Sequence, residues 1–105
     1  MSAKKVFLYG EWQISVPSFT EDVWAPVNRA LKDVPGLIRK TWTLGIGTNT
    51  VGGFYEFDSE EHARAFAEGL YAKQAALMGA SLTVKLFDGD RGEAASRDMN
   101  SPHYS

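Results

Sequence analysis

The alternation of hydrophobic and polar positions predicts four strands and two helices. A period of two residues marks strands over residues 5–14, 37–44, 51–58 and 81–87. Apolar residues recur with helical spacing over residues 18–34 and 58–78. The order β-α-β-β-α-β is that of the ferredoxin-like split βαβ pattern. The sequence therefore predicts an α+β fold, with a four-stranded antiparallel sheet covered on one face by two helices.

Local signals set the expected ends of the two helices. The segments Ser18–Glu21 and Asp58–Glu61 each have the spacing of a capping box at a helix start. Pro35–Gly36 ends the first helix, and Gly79 suits the left-handed conformation after the second. Pro26 falls near the middle of the first helix, where we expect a bend with room for a pocket underneath.

The sheet face away from the helices predicts a protein interface. Two helices cover only one face of a four-stranded sheet, so the other face stays open. It is expected to carry apolar residues among charged ones, and exposed apolar surface of this kind marks an interaction site. We therefore expect a homodimer whose sheets pack face to face, with Glu11 and Glu56 at the seam beside Arg39 or Lys85. The apolar residues assigned to this face are Phe7, Tyr9, Leu37, Phe54 and Phe87.

Length and composition indicate one domain and exclude several partners. The chain has 105 residues, and we divide it into a folded domain over residues 1–88 and a polar, mobile tail over residues 89–105. A net charge of −2 with no basic run argues against nucleic acid and anionic membranes. The absence of cysteine excludes disulfides and thiolate chemistry. No apolar run reaches the roughly 20 residues of a membrane span, and no signal peptide is recognised, so we expect a cytoplasmic location.

Three residues on the central strands are the candidates for catalysis. Lys40 and Trp42 lie two positions apart and so share one face of a strand, and Tyr55 lies on the adjacent strand. If that face looks toward the helices, a cation, an indole N–H and a phenol meet in an apolar chamber. They are suited to hold a deprotonated substrate and to donate hydrogen bonds to a developing oxyanion. The alternative is that Lys40 extends to solvent and Trp42 is core.

Other large side chains complete the predicted pocket. We expect a substrate-binding surface made of four aromatic residues and one glycine that provides space, namely Trp12, Trp24, Phe57, Phe66 and Gly53. His62 and His103 are unrelated in position and give no metal-ligand spacing, so no metal site is predicted.

Three short motifs resemble those of the YdhR-type monooxygenases of the dimeric α+β barrel superfamily. They are Pro-Gly-x-x-x-Lys-x-Trp-Thr at 35–43, Gly-Gly-x-Tyr-x-Phe at 52–57 and Lys-x-Phe-Asp at 85–88. The resemblance runs from the first strand to Asp88. It implies a dimeric α+β barrel and a monooxygenase that acts on a small electron-rich aromatic or enolisable substrate without a cofactor.

Other functions remain open on the same pocket. The polar groups also suit proton transfer in an isomerase, cyclase or lyase, and the domain would also serve as a non-catalytic ligand-binding dimer. Haem degradation occurs on this fold too, but it calls for a histidine facing the pocket, and only His62 lies within the core region.

Overall fold

The computed structural model describes residues 3–104 and confirms the predicted α+β fold. The strands are β1 (Val6–Trp12), β2 (Leu37–Leu44), β3 (Val51–Phe57) and β4 (Leu82–Asp88). The helices are α1 (Glu21–Leu31), α2 (Glu60–Phe66), α3 (Ala72–Met78) and α4 (Glu93–Asp98), and a π-helical turn (Ala67–Tyr71) joins α2 to α3. The strands form one antiparallel sheet in the order β2-β3-β1-β4. With α2, the π-helical turn and α3 counted as one helical run, the six predicted elements occur in the predicted ferredoxin-like order.

The core lies between the sheet and the helices. Leu8 on β1 and Phe57 on β3 are fully buried, and Phe66 of α2 packs against Phe57 with ring centroids 5.6 Å apart. Side chains two apart on a strand point to the same face, so the even positions of β1 and the odd positions of β3 line this layer.

Both helix starts differ from the predicted capping boxes. Helix α1 begins at Glu21 after the N-cap residue Thr20, so the start predicted at Ser18 is wrong. The N-cap of α2 is Ser59, whose hydroxyl accepts a hydrogen bond from the His62 backbone N–H at 3.2 Å. A hydroxyl on an extended residue is the usual partner for these free amides, and here Ser59 takes that place one residue after Asp58. The predicted stop at Gly79 is confirmed, since its φ is 66°.

A β-bulge changes which face one strand residue occupies. Between Leu37 and Arg39 the register of β2 against β3 shifts, so that Leu37 lies opposite Phe57 and Arg39 lies opposite Glu56. Leu37 consequently packs against the core. Its assignment to the open sheet face was wrong, because simple alternation does not anticipate a bulge.

The C-terminal segment folds back over part of the open sheet face. Tyr104 is buried and its hydroxyl donates to the Gly89 carbonyl at 2.6 Å. The His103 ring lies 5.4 Å from the Phe7 ring and 5.3 Å from the Phe54 ring. The C-terminal segment thus covers part of the sheet face that was expected to bind a second copy of the chain. Mobility of this segment stays a prediction, although residues 93–98 form a helix.

Buried Glu56 anchors this segment. It is 4% exposed, and its carboxylate lies 3.2 Å from Lys5 Nζ, 3.6 Å from Arg39 Nε and 4.0 Å from His103 Nδ1. Lys5 Nζ also donates to the His103 carbonyl at 2.7 Å. Glu11 lies opposite Gly52, four positions along β3 from Glu56, so the two carboxylates are not neighbours. Glu56 is a structural ion-pair centre on the face opposite the predicted site.

Candidate active site

A cavity of about 300 Å³ lies between the helix-facing side of the sheet and the helices. This volume is at the lower end of the range of small-molecule pockets. The sheet, α1 and the α2–α3 helical run each contribute part of its wall. The side chains of the wall include Trp12, Lys40, Trp42, Tyr55, Pro26, Val27, Ala30, Leu31, Phe66, Leu70, Tyr71, Gln74 and Met78.

A pair of glycines makes room for the two polar groups at the sheet side of the cavity. Gly10 on β1 lies directly opposite Gly53 on β3. A Cβ atom at Gly10 would come within 2.2 Å of the Tyr71 hydroxyl, and one at Gly53 within 2.5 Å of Lys40 Cε. Side chains at these positions would occupy the space that Tyr71 and Lys40 now fill, so the glycines allow both to lie flat against the sheet.

The Lys40 amine lies over aromatic rings. Its Nζ is 3.2 Å from the centroid of the Trp42 ring and 4.9 Å from that of Tyr55. Within residues 3–104 no carboxylate lies within ion-pair distance of it. Burial lowers the pKa of Lys40 to about 7, since a charged amine loses hydration in this apolar setting. Near neutral pH this lysine therefore exists in both its charged and its neutral form.

The Trp42 indole is fixed by α1. Its Nε1–H donates to Asn28 Oδ1 at 2.9 Å, and the Phe19 ring lies 5.1 Å from the indole. The N–H is already satisfied, so the expectation that Trp42 donates to a substrate oxyanion is not supported. What Trp42 provides is the ring face under Lys40, which attracts the ammonium form.

The π-helical turn places a tyrosine in the cavity that α-helical spacing does not. In a π turn residues five apart share a face, and the rings of Phe66 and Tyr71 stack with centroids 5.0 Å apart. The Tyr71 ring also lies 5.4 Å from that of Trp12. Single π turns inside helices occur frequently at functional sites. Tyr71 was therefore missed from the sequence, where the apolar stripe was read with a period of 3.6.

Two buried polar atoms of this wall have no hydrogen-bond partner among the residues that the structure describes, namely Tyr71 Oη and Trp12 Nε1. Such an atom costs about 1–3 kcal/mol. Burial raises the pKa of Tyr71 to about 12 and that of Tyr55 well above its usual range, so both phenols stay protonated at neutral pH. A hydrogen bond from Tyr55 would lower the Tyr71 pKa, but the two hydroxyls do not meet in hydrogen-bond geometry, so burial sets the direction of the shift. The site thus holds unused donors beside a titrating amine.

The structure brings together most of the residues chosen from the sequence. The three catalytic candidates Lys40, Trp42 and Tyr55 all line the cavity, as do Trp12 and Phe66. The exceptions are three. Gly53 lies beneath the Lys40 stem, Phe57 is fully buried in the core, and Trp24 does not line this wall. Besides Tyr71, the sequence reasoning missed Asn28 and Gln74, because polar residues on amphipathic helices give no signal that they face a pocket.

The histidines lie elsewhere. His62 Nδ1 is 2.7 Å from Asp58 Oδ1, and the ring lines a separate groove beside Pro35. Across residues 3–104 there is no group of three side chains from His, Cys, Asp and Glu placed to hold a metal ion. In the same range, no helix has the length and apolar character needed to cross a bilayer.

Fold and cavity together define a small α+β protein with an aromatic-walled pocket that contains a titrating lysine. Within that class the chain belongs to the family described as "Putative mono-oxygenase ydhR", whose model matches residues 11–96. Among solved structures the chain is similar to SnoaB, described as a cofactor-independent oxygenase from Streptomyces nogalater, in its N63A mutant form. The identity is 19%, the TM-score is 0.57, and the match covers 81% of this chain and 92% of that one. This likeness shows that the two chains share the α+β fold. No curated protein matches the chain significantly.

Proposed function

We propose that this protein is a cofactor-independent monooxygenase for a small electron-rich aromatic or enolisable substrate. The family match and the fold shared with a cofactor-independent oxygenase support the reaction class. The observation that carries the proposal is the Lys40 amine, held over the Trp42 ring in an apolar cavity without a carboxylate partner. An amine with a pKa of about 7 accepts a proton near neutral pH and leaves an ammonium that stabilises the resulting anion.

The reaction needs only the substrate, oxygen and this amine. Neutral Lys40 takes a proton from an acidic C–H or O–H of the substrate, and the enolate or phenolate pairs with the new ammonium. The anion gives one electron to O₂, and the radical and superoxide combine to form a carbon–oxygen bond. The peroxide takes the proton back from Lys40. Loss of water, with a second substrate C–H broken, leaves a carbonyl, so that a CH₂ group and O₂ become C=O and H₂O.

The remaining wall binds and orients the substrate in this proposal. Trp12 and Phe66 contact its apolar faces. Tyr55 and Tyr71, protonated at neutral pH, offer O–H donors to a substrate oxygen. Catalytic roles therefore fall to Lys40 and Tyr55, with Trp42 as the surface that holds the amine.

We further propose that the protein is a homodimer through the part of the sheet left open by the C-terminal segment. Phe87 there is 45% exposed, beside exposed Thr83 and Lys85 of the same strand. Phe87→Glu should convert the dimer to a monomer in light scattering coupled to size exclusion. A wild-type protein that is monomeric at high concentration would contradict this part of the proposal.

Oxygen uptake by metal-free protein tests the reaction. The substrates are hydroquinones, naphthols and anthrones, and the rate is compared with that of Lys40→Met and Trp42→Phe. We expect uptake above the rate without enzyme, with a loss of at least about tenfold in Lys40→Met. Lys73→Met, which removes an exposed lysine on α3 that does not line the cavity, is the matched control and should keep the wild-type rate. If a panel member binds tightly and isomerises or cleaves without oxygen uptake, the pocket performs proton transfer and the oxygenase proposal is wrong.

A further inference from the structure

Lys40 differs from the other lysines in its surroundings. Lys4, Lys32, Lys73 and Lys85 are exposed, and Lys5 is held by Glu56 and the His103 carbonyl. Lys40 alone among the lysines of residues 3–104 lines the aromatic cavity. Its amine is oriented by a ring face and not by an anion, so the lone pair of the neutral form is not engaged by the protein.

The amine also has access to bound molecules. Its stem passes over Gly53, where no side chain fills the space. Lys40 lines both the main cavity and a neighbouring groove beside Asn28 and Ile38. A flat molecule in the main cavity would therefore contact Lys40 together with the aromatic side chains of Tyr55 and Phe66.

We propose that Lys40 is a covalent binding site for small aromatic aldehydes and ketones, which it holds as a reversible imine. This activity goes beyond the proposed oxygenase function, because it requires no oxygen. It rests on the same neutral amine, but it would exist in a protein that never reacts with O₂.

Imine formation needs only the Lys40 amine and the carbonyl compound as reactants. The Lys40 nitrogen attacks the carbonyl carbon, a C–N bond forms, and the C=O π electrons move to oxygen. A proton passes from nitrogen to that oxygen to give a carbinolamine. Water then leaves as the C=N bond forms, and hydrolysis by one water reverses the sequence. The protonated imine withdraws electrons from the neighbouring carbon, so a C–H there becomes more acidic.

The expected selectivity follows from the neutral fraction of the amine. At pH 7.5, roughly three quarters of an amine with a pKa of about 7 is neutral, against about 0.1% for an ordinary lysine. The neutral fraction is therefore higher by about several hundred-fold. A weaker base is a poorer nucleophile, so we expect Lys40 to react at least about tenfold faster than the exposed lysines.

Salicylaldehyde with sodium cyanoborohydride tests this site. The aldehyde is a single planar ring that suits the cavity, and cyanoborohydride supplies the hydride that turns each imine into a stable secondary amine. After short exposures at pH 7.5, peptide mass spectrometry measures labelling at every lysine. We expect Lys40 to be labelled first, a slower reaction when 2-naphthol competes for the cavity, and a rate that falls as the pH drops from 8 to 6.

Two variants make the result decisive. Lys40→Arg keeps a cation over Trp42 and should lose the fast labelling, whereas Lys73→Arg, at an exposed position of α3, should keep it. Circular dichroism confirms that each variant is folded. Equal labelling of Lys40 and the exposed lysines, or fast labelling that survives in Lys40→Arg, would overturn the proposal. Oxygen uptake without fast labelling would support the oxygenase function and rule out the imine site. Fast labelling without oxygen uptake would support the imine site and rule out the oxygenase function.

Discussion

Replacing Lys40 with methionine should make the protein more stable at neutral pH. The ammonium form of Lys40 is partly desolvated and no carboxylate of residues 3–104 is in ion-pair contact with it. Methionine has a similar unbranched shape and packs in irregular apolar gaps without this cost. The variant keeps the hydrophobic contacts of the stem and removes the charge.

The size of the effect follows from the displaced pKa. A fall from 10.5 to about 7 corresponds to an upper limit of about 4–5 kcal/mol at pH 7, at about 1.36 kcal/mol per pKa unit. Attraction of the ammonium to the Trp42 ring, at 3.2 Å from its centroid, offsets about 1–2 kcal/mol. We therefore expect Lys40→Met to raise the free energy of unfolding by about 2–4 kcal/mol at pH 7.

The same displacement gives the wild-type protein a pH dependence that the variant lacks. Between pH 7 and 9 the unfolded chain binds more protons at Lys40 than the folded chain does. Wild-type stability should therefore rise with pH, with a slope approaching about 1.4 kcal/mol per pH unit. Above about pH 10 the sign reverses, because tyrosines ionise in the unfolded chain while buried Tyr55 and Tyr71 stay protonated.

Urea denaturation followed by circular dichroism, from pH 6.5 to 9, measures these quantities. Lys73→Met is the control for loss of a lysine at an exposed site, and its pH dependence should match that of the wild type. A wild-type stability that does not change between pH 7 and 9, together with a Lys40→Met variant less stable than wild type, would show that Lys40 is not desolvated.

Three further substitutions test the cavity floor and the opposite face. Gly10→Ala should lower the free energy of unfolding by about 1–3 kcal/mol in urea, since its Cβ would lie 2.2 Å from the Tyr71 hydroxyl; an unchanged value would mean that Tyr71 is free to move. In Gly53→Ala the new Cβ would lie 2.5 Å from Lys40 Cε and 3.0 Å from the ring of buried Tyr55, so oxygen uptake should fall at least about tenfold and the free energy of unfolding by about 1–3 kcal/mol; full activity would argue against a fixed amine position. Glu56→Ala removes the carboxylate from three partly exposed basic side chains and should cost about 1–3 kcal/mol, with faster hydrogen exchange at residues 103–104. Glu56→Gln, which keeps the shape, should lose less, and equal losses would contradict an ionic role.

Much of the fold was predictable because its signals are local. Period-two alternation located all four strands, and the left-handed Gly79 marked the end of the second helical run. The errors occur where a shift of a single residue changes the strand register or the first residue of a helix. The bulge before Arg39 moved Leu37 to the other face, and the N-cap of α2 fell on Ser59 rather than one position earlier. A one-residue shift exchanges sheet faces, and alternation alone does not reveal it.

The candidate site was predictable where it lies on strands and not where it lies on helices. Lys40, Trp42 and Tyr55 were brought together by strand parity, which the register of β2 with β3 preserves. Tyr71 needed the π turn, and the bond from Trp42 to Asn28 needed the position of α1 over the sheet. Contacts between layers depend on packing, which no periodicity in the sequence encodes.

The most direct test of the oxygenase proposal is the fate of ¹⁸O₂ with metal-free protein and an anthrone substrate. We expect a product in which one CH₂ has become C=O and carries one ¹⁸O atom, formed by wild type and at a much lower rate by Lys40→Met. A product of unchanged mass, or one whose new oxygen comes from water, would contradict it.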